Sequence, residues 1–406
     1  MIIALITIII SLVLSLSLSN KIFAPATIVA ALWLFCIMAY WIYPHNLLAL
    51  KDQFYIGISL WVGAFTFATL LTQSISQKSN NLTLPNEKIR NLYYILTLIT
   101  FPLMLWKIYS LIISLGLTNN IFYNLRVLAI GNIKGVEDGT SQNYFASLWI
   151  VTYLIELLHF RKKNLWRLII LFLINISWAF LVMSKTSFLN IFLSTMVILL
   201  FKNIIKPKYI YLSLAAIFIF FTSIQIVRTS NLKKNEKLSY DFFTLYVLSG
   251  MPAFETIKPH SSENLGENTF RFFYAVGQKL GISEIKAKKP ILKYVPVNKD
   301  KTMSTNVYTT LYPFFKDFGF SGIFYSAFLI GIFYGYIYKK VLKKNNPMTI
   351  TYSILVVSLV TQFMNETTIS TLSFIIQILI FSHIPYWSNY IVIRASKNEI
   401  ESYHQS

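Results

Sequence analysis

The chain has 406 residues, of which 55% are hydrophobic and 13% are charged. Soluble proteins carry about 25% charged residues, so this composition excludes a soluble class and predicts an integral membrane protein. The net charge of +20 excludes an acidic protein, and the single cysteine, Cys36, excludes a disulfide framework.

About eleven apolar stretches fill most of the sequence. A helix rises about 1.5 Å per residue, so roughly 20 residues cross the ~30 Å hydrocarbon core. The spans are predicted at 2–19, 25–43, 54–72, 92–116, 144–160, 165–183, 185–201, 208–227, 318–338, 348–364 and 367–387. We expect an all-α polytopic membrane protein that forms one integral domain. Residues 1–227 hold helices 1–8, residues 228–317 form a large external loop, and residues 318–406 hold helices 9–11 and a tail.

The basic residues predict the orientation of the chain, because short cytoplasmic loops accumulate Lys and Arg. One set of alternate loops carries Lys21, Lys78, Lys88, Arg90, Arg161, Lys162, Lys163, Arg167, Lys202, Lys206, Lys208, Lys339, Lys340, Lys343, Lys344, Arg394 and Lys397. The opposite short loops carry few cations. This places the N-terminus outside, the C-terminus in the cytoplasm, and the 117–143 and 228–317 loops on the external face.

Two spans, 165–183 and 185–201, are separated by a very short turn. If they formed one long helix, every later loop would change sides and the basic clusters would lose their phase. We therefore expect two helices here. The pair Gly331 and Gly335 in the ninth span is a small-xxx-small pattern, which predicts close helix packing.

The 228–317 loop has more Lys and Arg than Asp and Glu. Membrane orientation does not explain this excess of positive charge, because long loops translocate regardless of charge. An anionic ligand would explain it, and so would a generally Lys-rich proteome. Within this loop, residues 241–257 are apolar but short for a span and are interrupted by Gly250 and Pro252. They predict short, re-entrant or interfacial helices that would grip a lipid chain.

Several motifs are absent from the sequence. It has no Gly-rich phosphate loop, no His/Cys cluster and no Asp-x-Asp pair, and its cytoplasmic loops are short. We therefore predict no nucleotide-binding domain, no cofactor, no metal site and no nucleic-acid partner.

Cations at the external ends of spans are candidate ligands for phosphate, because charges near a membrane are costly. Lys185 lies in the short turn between spans six and seven, where a snorkelling lysine is the alternative. Arg228 follows the eighth span, and Arg126 lies in the other external loop. Arg271 is flanked by aromatic residues, and its planar fork suits bidentate phosphate binding. A cation–π or salt-bridge contact is the alternative for Arg271.

Residues 305–317 lead polar and aromatic side chains toward the ninth span. Tyr308 and Tyr312 are candidates to stack on sugar faces, and Asn306 and Thr309 are candidates to bond hydroxyls. Lys316 is a further candidate ligand for the substrate. An interfacial aromatic belt is the alternative interpretation of these tyrosines.

The candidate general bases are Asp317 and Glu255, with Glu366 in the 365–368 turn as the third choice. A carboxylate beside an acceptor hydroxyl can take its proton. Helix capping and ion pairing are the alternatives, for instance Asp317 with the adjacent Lys316.

These features together resemble the Wzy-type O-antigen or oligosaccharide repeat-unit polymerases of bacterial inner membranes. The resemblance covers the span count and loop pattern of the whole chain. Local likeness lies in residues 306–309 running to 317–319, in 268–271, and in 184–186. In the last of these, members often carry arginine, so Lys185 is a departure from the family's pattern.

The resemblance implies a GT-C-like glycosyltransferase that needs neither nucleotide nor metal. It would transfer the growing glycan from undecaprenyl pyrophosphate to a new lipid-linked repeat unit on the periplasmic face. Its arginines would stabilise the leaving pyrophosphate. The implied partners are the undecaprenyl-pyrophosphate-linked oligosaccharide, membrane lipid, a chain-length regulator and a flippase.

Two alternatives remain open. An O-antigen ligase performs the same chemistry with a lipid A acceptor, which the sequence does not distinguish. A polysaccharide flippase or secondary transporter is a different class of protein. Against it, no inverted pair of broken spans is visible, and mid-span charges are nearly absent apart from Lys107 and Glu156.

Overall fold

A computed structural model describes residues 1–19, 23–75, 84–114, 144–182, 184–206, 243–288 and 292–403. These residues are predominantly helical. The longer helices are α1 (Ile2–Ser19), α2 (Pro25–Ile42), α3 (Asp52–Ser74), α4 (Glu87–Ser114), α5 (Tyr144–Leu158), α6 (Leu165–Leu181) and α7 (Lys185–Phe201). After them come the short helices α8 (Gly250–Phe254) and α9 (Arg271–Lys279), then α10 (Tyr312–Leu342), α11 (Asn346–Val360) and α12 (Leu372–Tyr403). Strands β1 (Val295–Pro296) and β2 (Ser304–Thr305) pair antiparallel.

The longer helices overlap the predicted apolar stretches, except that the eighth stretch, 208–227, lies outside the described residues. Helix α12 continues to Tyr403, beyond the predicted end of the last span at residue 387. Five are long and apolar enough to cross a membrane: Pro25–Ile42, Asp52–Ser74, Glu87–Ser114, Lys162–Leu181 and Tyr312–Leu342. Further apolar helices of 10–17 residues accompany them. The chain therefore has the composition and helix lengths of a helical membrane protein.

The predicted break between the sixth and seventh spans is present in the structure. Helix α6 ends at Leu181 and α7 begins at Lys185. The side chain of Ser184 accepts a hydrogen bond from the Ser187 backbone N–H at 3.4 Å and so caps α7.

The chain divides into two compact units that each combine segments distant in sequence. Unit 1 consists of Met1–Lys78, Leu238–Lys339 and Ser358–Ser373. Unit 2 consists of Ser79–Lys237, Lys340–Val357 and Phe374–Ser406. In unit 1, α1 packs against α2 and α3.

Helix α10 packs closely against α3 in unit 1. A Cβ added at Gly331 would lie 2.7 Å from the Phe65 carbonyl oxygen, and one added at Gly335 would lie 2.8 Å from that of Thr69. The Thr69 hydroxyl also donates to the Gly331 carbonyl at 3.2 Å. The two glycines let the backbones approach, which confirms the close packing that the small-xxx-small pattern predicted.

A buried glutamine joins three segments of unit 1. The Gln362 side-chain oxygen accepts hydrogen bonds from the indole N–H groups of Trp33 and Trp61, both at 3.0 Å. The Gln362 backbone carbonyl accepts from the Thr310 N–H at 2.8 Å. These bonds fix the turn after α11 against α2, α3 and the segment that precedes α10.

Unit 2 contains a buried ion pair between α4 and α5. The Arg90 guanidinium donates to both Glu156 carboxylate oxygens, at 2.7 and 2.8 Å, and both side chains are 2% exposed. The outer nitrogen of Arg90 also binds Glu87 at 3.1 Å. The sequence placed Arg90 among the orienting cations, but the fold buries it with the mid-span carboxylate.

Replacing Gly331 with alanine should destabilise unit 1, because the new methyl group would press on the α3 backbone. Overpacking of this kind costs about 1–3 kcal/mol. Thermal unfolding of the purified full-length protein in one detergent measures the loss. Gly63→Ala is the matched control, since a Cβ at Gly63 meets only the Thr7 methyl group at 3.4 Å. Equal unfolding temperatures for the two variants would contradict the tight contact.

Candidate functional site

The segment of residues 261–288 in unit 1 is organised around the buried carboxylate of Asp317. One of its oxygens accepts hydrogen bonds from the Ser262 hydroxyl and from the Asn268 side-chain amide, the latter at 2.7 Å. The other accepts from the backbone N–H groups of Asn268 and Thr269, at 3.1 and 2.7 Å. Asp317 is 7% exposed, so these donors replace the water that the charge has lost.

Helix α10 changes direction two residues after Asp317. Gly319 has φ 65° and ψ −150°, a backbone conformation that is essentially restricted to glycine. A Cβ at this position would lie 2.9 Å from the His260 ring nitrogen. The kink therefore lets the loop that contains His260 pack against the beginning of the helix.

A second carboxylate, Glu267, closes the same loop. It is 3% exposed and accepts from the backbone N–H groups of Glu263 and Asn264, at 3.1 and 3.3 Å. Its ion pair with Lys288 is 2.7 Å long. Burial raises the pKa of Glu267, but Lys288 and the backbone donors outweigh this effect and hold the pKa below its ordinary value.

Arg271 is the first residue of α9, two residues after the Asp317 network. Its side chain is half-buried, and it has no hydrogen bond, ion pair or cation–π contact with the described residues. Burial lowers the pKa of the Arg271 guanidinium, and the negative charge of Glu366 raises it. The side chain stays charged in any case, because an arginine does not deprotonate in a protein.

Glu366 lies in the turn between α11 and α12. Its carboxylate accepts from the backbone N–H groups of Thr368, Ile369 and Ser370, at 2.6, 2.8 and 2.8 Å. Burial raises the pKa of this carboxyl, and the three N–H groups oppose that effect. Glu366 thus closes the turn and acts on Arg271 through its charge.

Glu255 caps the beginning of α3. One of its carboxylate oxygens accepts from the backbone N–H groups of Lys51 and Phe54, at 2.7 and 3.1 Å. A negative charge at a helix N-terminus is favourable. The structure shows no hydrogen bond to the second oxygen from any described residue, and Glu255 is half-buried. This leaves one oxygen with capacity to accept a proton.

The two tyrosines pack on each other, with ring centroids 4.7 Å apart. Tyr308 is 3% exposed, and its hydroxyl donates to the Lys293 carbonyl at 3.0 Å. Tyr312 is half-buried, and its hydroxyl accepts from the Lys316 ammonium at 3.1 Å. Lys316 therefore binds Tyr312 and does not form the ion pair with Asp317 that adjacency allowed. Asn306 is also half-buried.

Three buried threonine hydroxyls in these segments lack a hydrogen-bond partner in the described part of the chain: Thr269, Thr309 and Thr367. An unmade hydrogen bond of a buried hydroxyl costs about 1–3 kcal/mol. Thr269 lies two residues before Arg271, and Thr367 follows Glu366. Polar groups without partners therefore accompany the half-buried cation.

The remaining predicted ligands are not part of this segment. Lys185 belongs to unit 2, where it is the first residue of α7. Arg126 and Arg228 lie outside the described residues. The described part of the chain contains no cluster of three or more His, Cys, Asp or Glu side chains that could hold a metal ion.

Sequence reasoning missed Glu267 and Gln362, and it included Asn268 only as part of the 268–271 likeness, without a role. A turn-forming polar run, Ser261-Ser262-Glu263-Asn264, precedes α9 and is the one local signal for the loop. No local pattern indicates that Gln362 binds two tryptophans more than 300 positions away.

Comparison of the chain with family models, curated proteins and solved structures finds no match.

Asp317→Asn should loosen the loop of residues 261–288 while α10 remains helical. The substitution turns an oxygen that faces donors into an amide that also donates, which costs about 1–3 kcal/mol per unmet buried group. Limited trypsin digestion of the purified full-length protein should cleave faster at the exposed Lys279 and Lys286. Asp300→Asn, at an exposed loop position, is the control. Digestion of Asp317→Asn at the wild-type rate would show that the network does not hold the loop.

Proposed function

We propose that the chain is a membrane glycosyltransferase that polymerises lipid-linked oligosaccharide repeat units on the periplasmic face of a bacterial inner membrane. It has eleven spans, an external N-terminus and a cytoplasmic C-terminus in this proposal. The growing glycan moves from undecaprenyl pyrophosphate to a new undecaprenyl-pyrophosphate-linked repeat unit. The observation that supports it most is the half-buried Arg271, which lacks a hydrogen-bonding partner in the described chain.

An anionic group of the substrate would supply that partner. A desolvated guanidinium binds phosphate oxygens through two parallel hydrogen bonds. The neighbouring Thr269 hydroxyl, buried and without a partner in the described chain, can donate a further bond. The basic composition of the 228–317 loop favours the same anionic ligand.

In the proposed reaction the acceptor hydroxyl attacks the anomeric carbon of the donor glycan. The new carbon–oxygen bond forms as the bond to the pyrophosphate breaks, and the electron pair leaves with the lipid pyrophosphate. Arg271 stabilises the charge that grows on this leaving group. Arg126, Arg228 and Lys185 stay sequence-based predictions as ligands of the substrate.

A carboxylate takes the proton of the acceptor hydroxyl. Asp317 stays a prediction for this role, but both of its oxygens are occupied by loop donors. We favour Glu255, because one of its oxygens has no hydrogen bond from the described residues while the other holds α3. General base catalysis of this kind contributes about 10²–10⁴-fold.

The aromatic and polar residues before α10 are proposed to orient the sugar. Tyr312, half-buried and linked to Lys316, presents a ring face and a cation together. Asn306 adds an amide that bonds hydroxyls. The hydroxyl of Tyr308 already donates to the backbone, so Tyr308 contributes by packing its ring against Tyr312.

Deleting the gene should leave surface glycan with a single repeat unit on its acceptor. The chemistry in this proposal uses lipid-linked donors outside the membrane, so synthesis of the unit itself continues. Gel analysis of surface glycan chain lengths measures the effect. A full ladder in a strain with no second polymerase would refute the proposal. Long polymer that stays on its lipid carrier would favour the ligase, and units retained on the cytoplasmic side would favour the flippase.

Arg271→Ala should abolish polymer, and Arg271→Lys should restore little of it, because a lysine keeps the charge and loses the planar fork. Loss of one donor to a developing anion costs roughly 2.7–4 kcal/mol of barrier, about 10²–10³ in rate. The assay is glycan chain length in the deletion strain at equal membrane protein level.

Lys279→Ala is the matched control, since it removes an exposed cation from the other end of the same helix. Its ladder should equal that of the wild type. If Arg271→Ala protein accumulates normally and makes wild-type polymer, the arginine has no part in the reaction.

A further inference from the structure

Helix α9 has two chemically different faces. Successive residues advance by about 100° around a helix, so Phe273, Val276 and Leu280 form one stripe. They are 58%, 37% and 67% exposed. Arg271 and Gln278 lie on the opposite side of the helix from this stripe.

The apolar surface extends beyond the helix at both ends. Phe270 is 42% exposed directly before α9, and Ile282 is 79% exposed in the turn after it. Large apolar side chains at this level of exposure rarely gather on a surface that meets water alone. The stripe therefore requires an occupant.

The position of α9 favours lipid as that occupant. The Phe270 ring packs against the Phe318 ring at the beginning of the apolar helix α10, with centroids 6.0 Å apart. Beyond this point α10 exposes Tyr325 and Leu329, at 65% and 64%, as expected of a surface in contact with acyl chains. Helix α9 thus starts beside the beginning of α10, a helix that can cross a membrane. The apolar stripe of α9 continues the exposed apolar surface of α10.

The charge of the segment fits the same occupant. Residues 271–288 carry Arg271, Lys279, Lys286 and Lys288 against a single carboxylate, Glu284. Lys279 and Lys286 are exposed. Amphipathic helices that lie in a bilayer interface combine an apolar face with cations that reach anionic lipid headgroups.

We propose that α9 lies in the plane of one membrane leaflet, with Phe273, Val276 and Leu280 among the acyl chains and its lysines at the phosphate headgroups. The opposite face, which carries Arg271, then points away from the lipid. This surface is independent of the proposed reaction. It fixes the depth of the external loop relative to the bilayer.

Spin-label accessibility of the full-length protein tests this. A nitroxide is attached to Val276→Cys or to Leu280→Cys, and the protein is placed, one chain per nanodisc, in phosphatidylethanolamine and phosphatidylglycerol. The native Cys36 is fully buried, and a sample without an introduced cysteine corrects for any labelling there. Gln278→Cys, on the opposite face of α9, is the matched control. Both stripe labels should show high collision with oxygen and low collision with a water-soluble nickel chelate, and Gln278→Cys should show the reverse.

Two results would overturn the proposal. Nickel accessibility at Val276 and Leu280 equal to that at Gln278 would place the stripe in water. Protection of both stripe labels from oxygen as well as nickel would show that protein covers the stripe. The use of two label sites guards against misfolding of one variant, and the reading does not depend on enzymatic activity.

Discussion

The segment of residues 261–288 in unit 1 depends on the burial of one carboxylate, Asp317. A charge taken out of water is costly unless hydrogen-bond donors replace its hydration. Here the donors come from Ser262, Asn268 and Thr269, residues about 50 positions earlier in the chain. Their hydrogen bonds to the carboxylate hold the loop against the beginning of α10. The requirement is mutual, because two backbone N–H groups would otherwise be buried without a partner.

This constraint determines where α9 begins, and with it the position of Arg271. The helix starts two residues after the last donor to Asp317, so its first turn has little freedom to move. The Glu267–Lys288 pair ties the far end of the same loop. The backbone that carries Arg271 has therefore lost part of its conformational entropy before any ligand arrives.

Each unit contains a buried polar side chain whose hydrogen bonds are strengthened by the apolar surroundings. In unit 1, Gln362 binds two indoles and a backbone N–H, and in unit 2 Arg90 grips Glu156 with two bonds. Such bonds sit in a low dielectric, so a lost partner leaves a costly unpaired group. These hydrogen bonds determine which segments pack together. Apolar side chains alone specify this poorly in lipid, because hydrophobic burial does not drive helices together there.

The sequence by itself determined the helical class and the approximate positions of the longer described helices, because the length of an apolar stretch is a local property of the chain. It also determined the close approach at Gly331 and Gly335, since a missing side chain is visible in any pattern. Arg271 stood out through its aromatic neighbours. Tertiary structure alone decided which carboxylates are occupied. Asp317 and Glu255 are both carboxylates, and the sequence does not distinguish their roles. In the structure, a distant loop binds both oxygens of Asp317, whereas the start of α3 binds one oxygen of Glu255. It also decided that Arg90 is buried rather than exposed, because partners 66 positions apart become neighbours only when helices pack.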